Sequence, residues 1–289
     1  MIRPRRSVLY VPASNARAIE KSRKVACDAV ILDLEDSVAP DAKAAARDTA
    51  LAALRDGGFG HREVIVRVNA LDTEWGSADL NAVSQSTADA VLVPKIRTAR
   101  DVLEYDSALS GAPASMQLWV MIERALTLFR LEDIAGAVRV SRLTCFVMGT
   151  NDLAKELRMQ IDARRAPLTA MLGLTVAAAR AHRLSVLDGV YNAFDDEIGF
   201  EAQCRQGLEY GFDGKTLIHP RQIDICNSVF SPDAATVAWA SRVKEAFGKT
   251  ENARKGVLSL DGVMVERLHL AEAERVLALD ASIRATRNE

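Results

Sequence analysis

Glu123 and Asp152 each follow an apolar run: Leu118-Trp119-Val120-Met121-Ile122 leads into the first, and Cys145-Phe146-Val147-Met148 leads towards the second. Two carboxylates are a common protein share for Mg²⁺, which keeps waters or substrate oxygens in the rest of its shell. Read alone, the same pair also suits two separate rim carboxylates, each bonded to a neighbouring loop. Arg67, with Asn69 after it, ends the run Val64-Ile65-Val66. A guanidinium offers a planar fork to a carboxylate, either a substrate's or that of Glu35 or Asp36. Lys95 follows Val91-Leu92-Val93-Pro94. A lysine there can form a Schiff base with a keto substrate, or an ion pair within the rim.

These residues share a position. Each stands at the end of a short apolar run rich in Val, Ile and Leu, as do Asp33 after Val30-Ile31-Leu32 and Asp188 after Val186-Leu187. Such runs suit strands buried on both faces, the kind found in helix-covered parallel sheets. Polar groups delivered at the C-terminal ends of parallel strands meet at one mouth, where the chemistry of a (β/α)8 barrel sits. The spacing predicts strands at 7–11, 29–32, 63–68, 90–93, 117–122, 143–148, 185–187 and 214–218. Helical segments alternate with them, as a parallel sheet requires. Eight units favour a closed TIM barrel in the α/β class over residues 1–230.

Residues 231–289 fit no further repeat. Ser231-Pro232-Asp233 reads as a helix start capped by the Ser. Residues 258–265 read as a hairpin turning on Asp261-Gly262, and a last helix runs from about His269 to Ala285. The expected extension is therefore helix, hairpin, helix.

The chain has 289 residues and a formal net charge of -2, so it carries no basic footprint for nucleic acid. Its start is too short in apolar residues for a signal peptide or a membrane span. Cys27, Cys145, Cys204 and Cys226 form no CxxC pair, which suits reduced thiols of a cytoplasmic protein. No P-loop and no GxGxxG follows a strand.

The blocks Arg6-Ser7-Val8-Leu9-Tyr10-Val11-Pro12, Asp28 to Val38 (Asp-Ala-Val-Ile-Leu-Asp-Leu-Glu-Asp-Ser-Val), Val66-Arg67-Val68-Asn69, Val93-Pro94-Lys95, Ile122-Glu123 and Gly149-Thr150-Asn151-Asp152-Leu153 recur in order. Gly211 to Lys215, Ile218-His219-Pro220 and Asp261 to Val265 follow them. Together they resemble the citrate lyase beta-subunit-like CoA-ester lyases of the HpcH/HpaI aldolase superfamily, among them malyl-CoA and citramalyl-CoA lyases. The resemblance implies Mg²⁺ on Glu123 and Asp152, a substrate-binding Arg67, and Asp36 as an acid at the pocket rim. It also implies backbone N–H groups of Gly149 to Asp152, Asn151 included, around a keto-acid carboxylate, and a homotrimer or hexamer. Lys95 is a further candidate contact to substrate. Arg17 and Lys21, on the first helix, are candidates for the CoA phosphates.

The implied reaction is Mg²⁺-dependent retro-Claisen cleavage of a malyl-, methylmalyl- or citramalyl-CoA to an acyl-CoA and a 2-keto acid. The chain departs from the family pattern at four places, the first being Pro12-Ala13 where Pro-Gly is common. Arg124-Ala125-Leu126-Thr127 replaces a Thr-Ala-x-Gly pattern, and Asn151 stands where Glu is common. Glu266 stands where several relatives place an Asp that handles the proton at the acyl carbon, reaching in from an adjacent subunit. Three rivals remain: a citryl-acyl-carrier-protein lyase subunit, a Schiff-base aldolase using Lys95, and a catalytically idle thioester binder.

Overall fold

The computed structural model describes residues 3–162, 164–252 and 254–287. Eight parallel strands close a barrel in chain order: β1 Ser7–Pro12, β2 Ala29–Asp33, β3 Glu63–Arg67, β4 Ala90–Val93, β5 Gln117–Ile122, β6 Leu143–Met148, β7 Ser185–Asp188 and β8 Gly214–Leu217. The final pairing joins β1 to β8, with Val8 opposite Thr216. Around it lie α1 Ala16–Ser22, α2 Lys43–Asp56, α3 Gly76–Ser84, α4 Ala99–Ala108, α5 Ala125–Leu128, α6 Leu131–Gly136, α7 Thr150–Glu156, α8 Thr169–Ala181, α9 Glu197–Tyr210 and α10 Ile223–Val229.

Strand side chains alternate between two cores. Val8, Ala29, Ile31, Ile65, Leu92, Trp119, Met121, Cys145, Val147 and Leu187 fill the barrel interior. Their neighbours, such as Val30, Leu32, Val66, Val120 and Phe146, pack into the helical shell. Successive side chains point to opposite faces, so this parity carries up each strand. Asp33 follows Ile31, Arg67 follows Ile65 and Glu123 follows Met121, each two residues on, and all three enter the interior at its C-terminal end.

The opposite end is plugged. The Arg5 guanidinium makes two 2.7 Å bonds to Glu63 and further bonds to Ser185 Oγ (3.0 Å) and Gln117 Oε1 (2.8 Å). Its Cζ lies 4.6 Å from the Trp119 ring centroid.

Several helix ends follow from local chemistry. Asn15 caps α1 by accepting from the Ala18 N–H. Thr98 and Asp101 form a reciprocal capping box on α4. Asp196 caps α9, and Gly211 at φ 93 ends it. The sequence pattern predicts one helix after β5, whereas Arg130 at φ -128 and ψ 11 separates α5 from α6. It also leaves α7 unassigned.

A second compact unit begins at Ser231 and includes the described residues before Arg5. It comprises α11 Ala234–Gly248, the antiparallel pair β9 Val257–Leu260 and β10 Val263–Glu266, and α12 Arg267–Arg287. Ala240, Val243, Phe247, Val265, Ala273 and Val276 form its core. Asp261 and Gly262 have φ of 52 and 78, as a tight two-residue hairpin turn demands. Asp233, not Ser231, caps α11: its carboxylate accepts from the Thr236 N–H at 2.7 Å. The last helix starts two residues earlier than its apolar pattern suggests. No helix among the described residues is long and apolar enough to cross a membrane.

Candidate active site

Asp33 and Arg67 are cross-strand partners at the ends of β2 and β3. Arg67 Nε donates to Asp33 Oδ1 at 2.6 Å and Nη2 to Oδ2 at 2.8 Å. The same carboxylate accepts the Glu35 N–H at 2.9 Å and the Ser37 N–H at 3.1 Å. Burial works against the Asp33 charge, but Arg67 and these donors outweigh it and hold the carboxyl below the usual range. Sequence reasoning paired Arg67 with Glu35 or Asp36. The bidentate partner is Asp33, and only Nη1 turns to Glu35 Oε2, at 3.0 Å. The Tyr10 ring lies 4.8 Å from the guanidinium carbon.

Glu35 sits deep in the mouth, while the Asp36 side chain is 55% exposed and 3.5 Å from Arg67 Nη1. Lys43 Nζ holds the backbone at this point, donating to the carbonyls of Leu34 (3.0 Å) and Glu35 (2.7 Å). Lys95 Nζ lies 2.7 Å from Glu35 Oε1. Burial raises the Glu35 carboxyl, Arg67 opposes this, and Asp36 adds to the rise. Burial alone would lower the Lys95 ammonium, yet Glu35 reverses the effect and raises it. A lysine held protonated this way is poorly suited to Schiff-base chemistry.

Glu123 is buried beside these groups. Its Oε1 accepts the Lys95 backbone N–H at 2.6 Å. Burial, then the charge of Glu35 and, more weakly, that of Asp152, push its carboxyl up to about 8. Asp152 occupies the first turn of α7. A buried Glu123 whose proton affinity is raised by two neighbouring carboxylates is poorly compensated by protein cations alone. A hard dication would supply the missing charge, and the oxygen-only donor pair Glu123 and Asp152 suits Mg²⁺. No group of three or more His, Cys, Asp and Glu forms a metal cluster among the described residues. The fit therefore rests on two protein ligands.

Gly149 makes room for this arrangement. A Cβ built there would lie 2.5 Å from Glu123 Cβ and 2.6 Å from its Oε2. Its N–H is taken by the Ile122 carbonyl at 3.0 Å, so it does not donate into the mouth as expected. Asn151 forms a reciprocal amide pair with Asn192, at 2.9 and 3.2 Å. That ties the first turn of α7 to the loop after β7. An acceptor-only Glu at 151 could not complete the pair.

A family model described as HpcH/HpaI aldolase/citrate lyase matches residues 6–220. The chain belongs to the HpcH/HpaI aldolase/citrate lyase family. Among its relatives, the (3S)-malyl-CoA thioesterase of Cereibacter sphaeroides is 48% identical over 284 residues, 98% of this chain and 97% of the relative. Citrate lyase subunit beta of Escherichia coli is 38% identical over 283 residues, 96% of this chain and 93% of that one. The CitE protein of Mycobacterium tuberculosis, solved with magnesium, acetoacetate and coenzyme A, aligns with TM-score 0.74 at 29% identity. The match covers 95% of this chain and 97% of that one. The chain is thus an enzyme of a family that acts on CoA esters.

The remaining expected residues have surroundings of their own. Arg17 and Lys21 are exposed on α1. Arg124, the first residue of the departure after Glu123, pairs with Glu156 at 3.1 Å, so its charge is compensated. Glu266 belongs to the second unit, where its N–H donates to His269 Nδ1 at 2.9 Å. His219 shapes a turn: its Nδ1 accepts from the Arg221 N–H at 3.2 Å and its ring stacks on Phe194 at 4.8 Å.

The sequence gives no signal for Asn192, which lies in a loop without periodicity, and it places Asp188 at the mouth, whereas the side chain alternates outward from Leu187 into a charge cluster behind β7 and β8. There Asp188 bonds Lys215 Nζ and Arg165 Nη1, both at 2.7 Å, with all three side chains buried. A lysine inside the apolar-looking strand 214–218 was the available signal.

Proposed function

We propose that this chain hydrolyses a malyl-CoA-type thioester, a short 3-hydroxyacyl-CoA bearing a terminal carboxylate, with Mg²⁺ held by Glu123 and Asp152. The observation that carries the reading is the 48% identity, over 98% of the chain, to (3S)-malyl-CoA thioesterases. The mouth supports it chemically. When bound, Mg²⁺ supplies Lewis-acid polarisation of a substrate oxygen. Arg67 is locked by Asp33 and presents Nη1 as a fixed cationic donor for a carboxylate or a developing oxyanion. Glu35, raised in proton affinity and pinned by Lys95, is the group to take a proton from attacking water. Water adds to the thioester carbon, the C–S bond breaks, and the CoA thiol leaves with a proton. Asp36 stands at the rim as an auxiliary acid, with Asn151 and Thr150 bordering the substrate. Arg17 and Lys21 are assigned to the CoA phosphates.

A second reading is retro-Claisen cleavage to acetyl-CoA and a 2-keto acid, favoured by the 38% identity to citrate lyase beta subunits. It requires a proton for the enolate carbon, the role assigned to Glu266. One experiment separates the two. Malyl-CoA is supplied to the purified chain with Mg²⁺, and free thiol and glyoxylate are measured together. Hydrolysis releases thiol and malate without glyoxylate. Glyoxylate without free thiol would replace hydrolysis by carbon-carbon cleavage. Cytoplasmic location, inferred from the scattered cysteines, and assembly as a trimer or hexamer, inferred from the resemblance, are checked by fractionation and light scattering.

A further inference from the structure

Among the described residues, five other than glycine have positive φ: Lys95, Arg158, Arg165, Arg183 and Asp261. Asp261 is accounted for by its hairpin turn, Arg158 and Arg183 follow the ends of α7 and α8, and Arg165 leads into the short turn Ala166–Leu168. Lys95 is different. It stands one residue past Pro94 at the end of β4, in the mouth, with φ 57. L-residues resist this conformation because Cβ crowds the following carbonyl. Strain of this kind persists where the surroundings over-determine it, and it gathers at functional sites.

The left-handed turn has a visible result. The Pro94–Lys95 peptide plane points the Lys95 N–H at Glu123 Oε1, 2.6 Å away, and the positive φ sets how the rest of Lys95 and the following chain leave that plane. The side chain leaves in another direction and reaches Glu35 Oε1 at 2.7 Å. Glycine would adopt the backbone without cost, so the backbone geometry alone does not call for lysine. Lysine serves both contacts from one position. Glu123, held through Oε1, keeps Oε2 on the side of Gly149, where a Cβ would intrude.

We propose that Lys95 is a positioning residue with two separable halves: a left-handed backbone that orients Glu123 and an ammonium that orients Glu35. This rests on the reading that Glu123 and Asp152 hold a divalent cation.

The test compares four variants of the full chain: Lys95→Gly and Lys95→Asn, which tolerate the left-handed region, against Lys95→Met and Lys95→Val, which do not. All four lack the ammonium, so charge is constant among them. Mn²⁺ dissociation constants are read from the electron paramagnetic resonance signal of free Mn²⁺, with circular dichroism confirming the fold. The Met and Val variants bind Mn²⁺ about tenfold more weakly than the Gly and Asn variants, the scale set by the cost of the left-handed region. Turnover falls in all four, including those that keep Mn²⁺. Equal Mn²⁺ affinity across the four would overturn the backbone half, and Met keeps the comparison if Val does not fold. Full turnover by Lys95→Gly would overturn the ammonium half. Wild-type protein that binds no Mn²⁺ would remove the metal reading and this proposal with it.

Discussion

Asp33 and Arg67 end neighbouring strands in register, and their side chains close a two-bond fork at 2.6 and 2.8 Å inside the barrel mouth. This pair sets the geometry of the other charges. It immobilises Arg67, leaves Nη1 to face Glu35, and spends the Asp33 carboxylate on four donors. The mouth is therefore a preorganised array, with its rigidity fixed by the strands.

Removing one partner leaves the other as a buried charge. Asp33→Asn should destabilise the protein by about 3 kcal/mol, the lower end for a broken buried pair because Arg67 keeps Glu35. Thermal unfolding checks this. Arg67→Lys should retain more stability but lose most activity, since a lysine cannot reproduce the fork.

Gly149→Ala tests the close approach to Glu123. The added methyl has no space beside Glu123 Cβ and Oε2, so the carboxylate must move. Overpacking of this kind costs about 1–3 kcal/mol, and a 1 Å shift of a reacting group can cost about a hundredfold in rate. Turnover should fall about a hundredfold while circular dichroism stays native.

The cluster behind β7 and β8 predicts a pH dependence of stability. Burial disfavours the Asp188 charge, but Lys215 and Arg165 prevail and hold its carboxyl below the usual range. A depressed carboxyl stabilises the fold above its unfolded value, about pH 3.9. That contribution is lost as pH falls towards the lower folded value. Urea unfolding should show a steep acid limb below about pH 4. Asp188→Asn should flatten this limb and cost about 3–5 kcal/mol near neutrality.

Repulsion among Glu123, Glu35 and Asp152 predicts an inverse relation between stability and function. Glu123→Gln removes a carboxylate whose proton affinity is raised by burial and by Glu35. In EDTA the variant should melt higher than wild type, while its turnover with Mg²⁺ should be lost. A lower melting point in EDTA would show that Glu123 is satisfied without a cation.

Much of the barrel was legible in the chain because each buried strand is a short apolar run and each run stops at a charge. Parity then carries Asp33, Arg67 and Glu123 into the mouth. What was not legible depends on contacts between strands and loops. Arg67 had three acids within reach in sequence, and only strand register selects Asp33. Glu35 and Asp36 are adjacent, and the chain turns just one of them inward. Asn151 gains its partner from a loop 41 residues away, and α7 is a two-turn helix with little apolar pattern. Nothing in sequence places Glu156 beside Arg124.

A divalent cation at Glu123 and Asp152 is proposed to organise this mouth. The most direct test is a crystal of the full chain grown with Mn²⁺ and malate, examined for anomalous scattering. One strong peak is expected between the Glu123 and Asp152 carboxylates, with the malate beside Arg67 Nη1. A mouth with no peak at saturating Mn²⁺, or with Glu123 and Asp152 turned away from the ion, would contradict it.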